Sequence, residues 1–260
     1  MLFRSATLSI LSNSCSGGNI SGQIKNAVNN DNVSGVLVSL RSGLNVKSGS
    51  TISGKTDTTA TNGTYTISSV DAGTYTAEAS KDDWITSYFN ISSCNGASDQ
   101  NANMSEALPH GAMRIVLSWR GTEDFDAHLE IPGQDSSNEA SDSSDKSHLS
   151  WKSDHGSGNK VSFTGVSTQY YHIYNNDSSD YVTLDQDNTH GVVASCPNNE
   201  TCGPETITIS KVLSSGAYRF HVQAFDQKGR HANGLVATEL SDNGTVVQVF
   251  YDDQSYNFDV

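Results

Sequence analysis

The chain has 260 residues, enough for one large β domain or two ordinary ones. Its formal net charge is −14, yet only 17% of residues are charged. That balance argues against a nucleic-acid backbone or an anionic membrane as partner, and no apolar run is long enough for a transmembrane segment.

Residues 1–18 read as an N-terminal strand or extension. Ala6, Leu8 and Ile10 alternate with Ser5, Thr7 and Ser9, as a half-buried strand would. The same stretch makes a poor secretory signal, because Ser and Thr interrupt its apolar part. It can fold back on the chain's own second domain, be donated to the sheet of a second copy, or be a signal remnant.

Residues 19–93 carry short alternating runs separated by Gly, Asn, Asp and Ser, with almost no helical period. Strands are expected near 20–25, 36–40, 63–67, 73–80 and 85–91. "NGTYTISSV" and "AGTYTAEAS" echo each other, and their tyrosines read as packing residues. Residues 94–111 lack periodicity and read as a polar linker. In the second domain, 112–260, strands are expected near 113–119, 161–163, 170–174, 181–184, 205–210, 216–224, 235–239 and 245–251. A polar insertion spans 133–160. The expected fold class is all-β, with two tandem β-sandwiches.

The four cysteines match no zinc spacing. Cys15–Cys94 would bracket the first domain and Cys196–Cys202 would pin one loop, which points to an oxidising compartment. Eight N-x-Ser/Thr sites, at Asn19, Asn32, Asn62, Asn90, Asn103, Asn176, Asn199 and Asn243, make covalently attached glycans an expectation.

The chemistry-bearing residues lie in the second domain. In "DFDAHLEIPG", an extended backbone sets Asp124, Asp126 and His128 on one face and Phe125, Ala127 and Leu129 on the other. Leu184-Asp185-Gln186-Asp187 offers two more acids at strand spacing. Glu205 follows a Gly-Pro turn, and His172 sits in "YYHIYNN". Carboxylate-rich sets suit calcium, whereas zinc favours imidazole, so calcium is expected in preference to zinc. A hydrogen-bonded network, with Arg114, Arg120 or Arg219 as partners, and general acid–base work are the competing readings.

Residues 19–93, from "SGQIKNAVNNDNVSGVLVSLRSG" to "TATNGTYTISSVDAGTYTAEASKDDW", resemble the carboxypeptidase-regulatory-like and Cna-B-like prealbumin-type sandwiches. That resemblance implies a stalk or spacer module in a secreted or surface protein. Residues 112–226 resemble an uncharacterised family of secreted β domains with Asp-x-Asp-x-His-Leu, Leu-Asp-x-Asp-x-Thr, Gly-Pro-Glu-x-Ile and Gly-x-Tyr-x-Phe motifs. This chain departs from the pattern at the insertion "HGVVASCPNNETC", which separates Asp187 from Glu205.

The expectation is a non-enzymatic structural subunit of an extracellular or cell-surface filament, adhesin or stalk, assembling with copies of itself head to tail. A carbohydrate- or peptide-binding accessory module is the alternative, with Trp84, Trp151, Tyr170 and Tyr171 as candidate contacts. A metal-dependent hydrolase stands behind both.

Overall fold

The structure is a computed structural model that describes residues 15–132, 148–150, 170–173, 181–191, 203–214, 216–224, 240 and 244–260. Regular structure among these residues is almost wholly β. No described helix is long and apolar enough to cross a membrane.

The first sandwich faces two sheets across one core. Strands β1 (Gly18–Asn26), β4 (Thr64–Val70) and β7 (Ala102–Met104) form one sheet in the order β4-β1-β7. Strands β2 (Leu37–Ser42), β3 (Thr56–Thr58), β5 (Gly73–Ser80) and β6 (Ser87–Ser93) form the other, in the order β3-β2-β5-β6. Alternation does the sorting. Tyr65 and Ile67 of β4, and Tyr75, Ala77 and Ala79 of β5, point into a core shared with Ile20, Ile24, Val38 and Leu40. Buried Tyr65 donates its hydroxyl to the Gln100 carbonyl at 2.6 Å, and Tyr75 donates to that of Asp71 at 2.8 Å, so both tyrosines pack as expected. Gly63 holds φ at +73°, the left-handed region, and a Cβ there would meet the Ile24 carbonyl at 2.7 Å. The Asn62-Gly63 turn therefore requires its glycine.

Cys15 and Cys94 are joined, with Cα atoms 4.7 Å apart, as expected. Cys196, Cys202 and the N-terminal segment 1–14 lie outside the described residues.

The stretch read as a linker is stitched into this sandwich. Ala102, Asn103 and Met104 are buried and pair in parallel with Ile24, Lys25 and Asn26, and Glu106 bridges to Trp84. A three-residue strand is too short to show a period, which is why sequence reading passed over it. It also corrects one glycosylation site. Asn103 is 4% exposed, so its amide is closed to a glycan. Asn19, Asn32, Asn62 and Asn90 are exposed, while Asn176, Asn199 and Asn243 fall outside the described residues.

The second sandwich sets a six-stranded sheet over a three-stranded one. The larger comprises β8 (Met113–Ser118), β11 (Tyr170–Ile173), β12 (Tyr181–Gln186), β13 (Glu205–Ile209), β15 (Val246–Tyr251) and β16 (Gln254–Asp259), in the order β11-β12-β13-β8-β15-β16. The smaller comprises β9 (Phe125–Glu130), β10 (His148–Leu149) and β14 (Arg219–Ala224), in the order β10-β9-β14. Ile115, Leu117, Leu184, Ile207 and Ile209 from one sheet meet Phe125, Ala127 and Leu129 from the other. The apolar face expected of "FDAHLE" is thus the core face.

The middle of the large sheet is buried on both sides. Its outer face carries Val116 and Phe250, which form a separate apolar cluster with Ala27 and Ile85 of the first sandwich. Burial on two faces explains why β8 reads as a continuous apolar run rather than an alternating one. Polar groups complete the seam. Gln248 Nε2 donates to Ser87 Oγ at 3.1 Å, and Ser255 Oγ donates to the Thr86 carbonyl at 2.9 Å. Thr206 Oγ1 also donates to the Ala27 carbonyl, and Asn257 Nδ2 to that of Tyr88.

Candidate functional site

Three carboxylates meet at one end of the second sandwich. Asp126 comes from β9, Asp187 follows β12, and Glu205 opens β13. One oxygen of each lies within 4.8 Å of the others. Asp126 and Glu205 are 3% and 1% exposed, whereas Asp187 stands at the solvent side.

Glu205 reaches from β13 to the backbone of β9. Strand β9 is paired along one edge by β14, and among the described residues β10 covers Leu129 and Glu130 on the other edge. The Ala127 N–H is left to donate to Glu205 Oε2, at 2.6 Å. The second oxygen, Oε1, is buried with no partner of normal hydrogen-bond geometry, while the Glu205 and Asp187 carboxyls lie close enough to share a proton. Burial holds the Glu205 carboxyl well above its ordinary pKa, and the neighbouring Asp187 and Asp126 push it the same way against the Ala127 N–H. Asp187 is also raised, by burial of its carboxyl, with Glu205 opposing.

Asp185 goes elsewhere, and the register shows why. Leu184 pairs with Ile207 and Gln186 with Thr206, so two steps along β12 meet one along β13. Asp185 is the extra residue of a β-bulge, which breaks the alternation that would have put it beside Asp187. It accepts from Thr208 Oγ1, whose hydroxyl also receives Arg114 Nε at 3.0 Å. Burial raises its pKa to about 6, while Thr208 and Arg114 pull the other way. For Asp185 the network reading with Arg114 describes the geometry.

The remaining expected residues are dispersed. Asp124 is half-buried just before β9, outside the three-carboxylate set. His128 is buried and in register with His221 of β14, and it too stands outside that set. His172 lies on β11 opposite Val182, and its side chain lies outside the described residues. Arg219 pairs with Glu130 at 3.1 Å, and His221 faces the same carboxylate at 3.3 Å. Asn188 Nδ2 donates to the Pro204 carbonyl at 2.7 Å, tying the loop after β12 to the turn before β13. Gly191 packs against Trp119, where a Cβ would meet the Trp119 carbonyl at 2.5 Å. No sequence signal marked Ala127, whose backbone fixes Glu205.

A polar cleft of about 840 Å³ lies beside the first sandwich, lined by Gln23, Lys25, Asn32, Tyr65 and Arg120. Tyr65 is 2% exposed and offers no stacking platform. Trp84 is half-buried against the first core, under Lys81. The side chains of Trp151, Tyr170 and Tyr171 lie outside the described residues.

Fold and site together define an all-β protein of two sandwiches, disulfide-bonded, with a carboxylate cluster at one end of the second. A family model for the second β-sandwich domain of BOS complex subunit NOMO1-like proteins matches residues 15–107. The β-sandwich expected there is borne out, under a family name other than the two the motifs suggested. Among solved structures, the chain is similar to a type II cohesin–X-dockerin complex from Acetivibrio cellulolyticus. Identity there is 22%, coverage is 35% of this chain and 58% of that one, and the TM-score is 0.26. It is similar to the full-length major pilin SpaD from Corynebacterium diphtheriae at 13% identity, with 93% and 63% coverage and a TM-score of 0.30. It is also similar to BcpA, the major pilin subunit of Bacillus cereus, at 11% identity, with 93% and 67% coverage and a TM-score of 0.29. The chain therefore spans less than two thirds of the cohesin–X-dockerin and SpaD chains, and likenesses this low carry no argument about function. No curated protein matches the chain.

Proposed function

We propose that the chain is a non-catalytic structural module of an extracellular or cell-surface assembly, acting as a rigid segment made of two fused sandwiches. The observation that carries this reading is the seam. Val116, Phe250, Ala27 and Ile85 are buried together there, and side-chain hydrogen bonds from Gln248, Ser255 and Asn257 reach the first sandwich. Bending between the domains would expose that cluster and break those bonds, so the two lobes resist flexing as one body.

The Cys15–Cys94 bridge supports an oxidising compartment, and four exposed sequons support a glycosylated surface. The finer proposal is that copies associate head to tail, with the alternating segment 2–12 as the donated strand. An open sheet edge offers unpaired backbone groups to such a strand, and repetition without closure gives a filament.

Negative-stain microscopy of the purified protein tests both levels. The expected particles are two-lobed rods of constant inter-lobe angle, joined end to end. Lobes at random angles would refute the rigid segment. Filaments of unchanged length after deletion of residues 2–12 would refute strand donation while leaving the rigid segment standing.

A further inference from the structure

The large and small sheets of the second sandwich are joined at one end by acids rather than by apolar side chains. Asp126 comes from the small sheet, Glu205 from the large one, and Asp187 from the turn that leaves β12. Gathering three carboxylates beside an apolar core is unfavourable unless a proton or a cation joins them. The independent observation is Glu205. It is 1% exposed, its Oε2 is held by the Ala127 N–H, and its Oε1 is buried with no hydrogen-bond partner of normal geometry.

We infer that Asp126, Asp187 and Glu205 are the ligands of a hard divalent cation, calcium by preference, which clamps the two sheets of the second sandwich together. All three ligand atoms are oxygens, which suits calcium or magnesium and not a soft metal. Oxygens on opposite sides of a calcium ion, bound at about 2.3–2.6 Å, stand roughly 5 Å apart, so a set within 4.8 Å encloses one ion. Magnesium needs a tighter, more regular shell. Asp187, at the solvent side, gives the ion its entry path and leaves room for water ligands.

Equilibrium dialysis against calcium, with thermal melting of the full chain, tests the site. We expect one ion per chain with a Kd of about 0.1–1 mM, the range of extracellular modules. At about 10 mM calcium the melting temperature should rise by roughly 3–10 °C. Glu205→Gln and Asp187→Asn should each weaken binding at least about tenfold, whereas Asp185→Asn should leave it unchanged. Asp187 is exposed, so its variant reports even if Glu205→Gln does not fold. Absence of dialysable calcium together with an unshifted melting temperature would overturn the inference. So would full binding in both cluster variants, or displacement of calcium by equimolar zinc.

Discussion

Truncating Phe250 to Ala isolates the seam between the two sandwiches. Phe250 sits on β15 and is fully buried, and it faces away from Val247 and Val249, which serve the second core. Its ring therefore belongs to the seam cluster with Val116, Ala27 and Ile85. An aromatic side chain of this kind buries about 150–250 Å², most of it beyond Cβ. At about 25 cal/mol per Å² the transfer loss is roughly 3 kcal/mol, and the residual cavity brings the total to about 3–5 kcal/mol. For a chain of this size that lowers the melting temperature by roughly 10 °C. The loss should fall on coupling between the lobes, because the seam polar bonds lose their dry surroundings with the ring. Differential scanning calorimetry should then show the single wild-type transition split into two. Leu117→Ala, deep in the second core, should lower stability without separating the lobes in the same way. A Phe250→Ala protein that keeps one transition and loses less than about 1 kcal/mol would refute the reasoning.

Replacing both Cys15 and Cys94 with Ser opens a loop of sequence separation 79, and chain entropy puts the loss at about 4–5 kcal/mol, measurable by urea unfolding. Asp185 gives a pH dependence of definite sign. Its folded pKa is raised to about 6 from 3.8, so its protonated form favours the fold; that stability is present below the unfolded value and lost as pH rises through about 6. The wild type minus Asp185→Asn difference in unfolding free energy should therefore grow on acidification from pH 7 to 4, by up to about 3 kcal/mol. A flat difference would remove Asp185 as its source. Glycopeptide mass spectrometry of folded, secreted protein should find occupancy among Asn19, Asn32, Asn62 and Asn90, and none at buried Asn103. An occupied Asn103 in folded material would show that β7 is not formed there.

Whatever depends on local alternation and residue chemistry was legible in the chain alone. Runs such as "GTYTAEAS" fix which side chains enter the core, because a strand's faces repeat every two residues whatever it pairs with. In the same way "FDAHLE" committed Phe125, Ala127 and Leu129 to one side, and Cys15 and Cys94 sat where one bridge closes the first sandwich. The acids of the cluster were visible as types. Their grouping was not, because it depends on pairing between distant strands. The bulge at Asp185 arises from the register of β12 on β13 and sends Asp185 to Arg114 and Asp187 to Glu205. The place of Glu205 depends on the backbone N–H of Ala127 in a distant strand, and β10 itself leaves little trace in a polar insertion. Strand β7 and the seam follow the same logic. Three residues carry no period, and the outer face of β8 and β15 is apolar only because another domain lies against it. Local pattern sets the faces of each strand, and only the tertiary structure decides which faces meet.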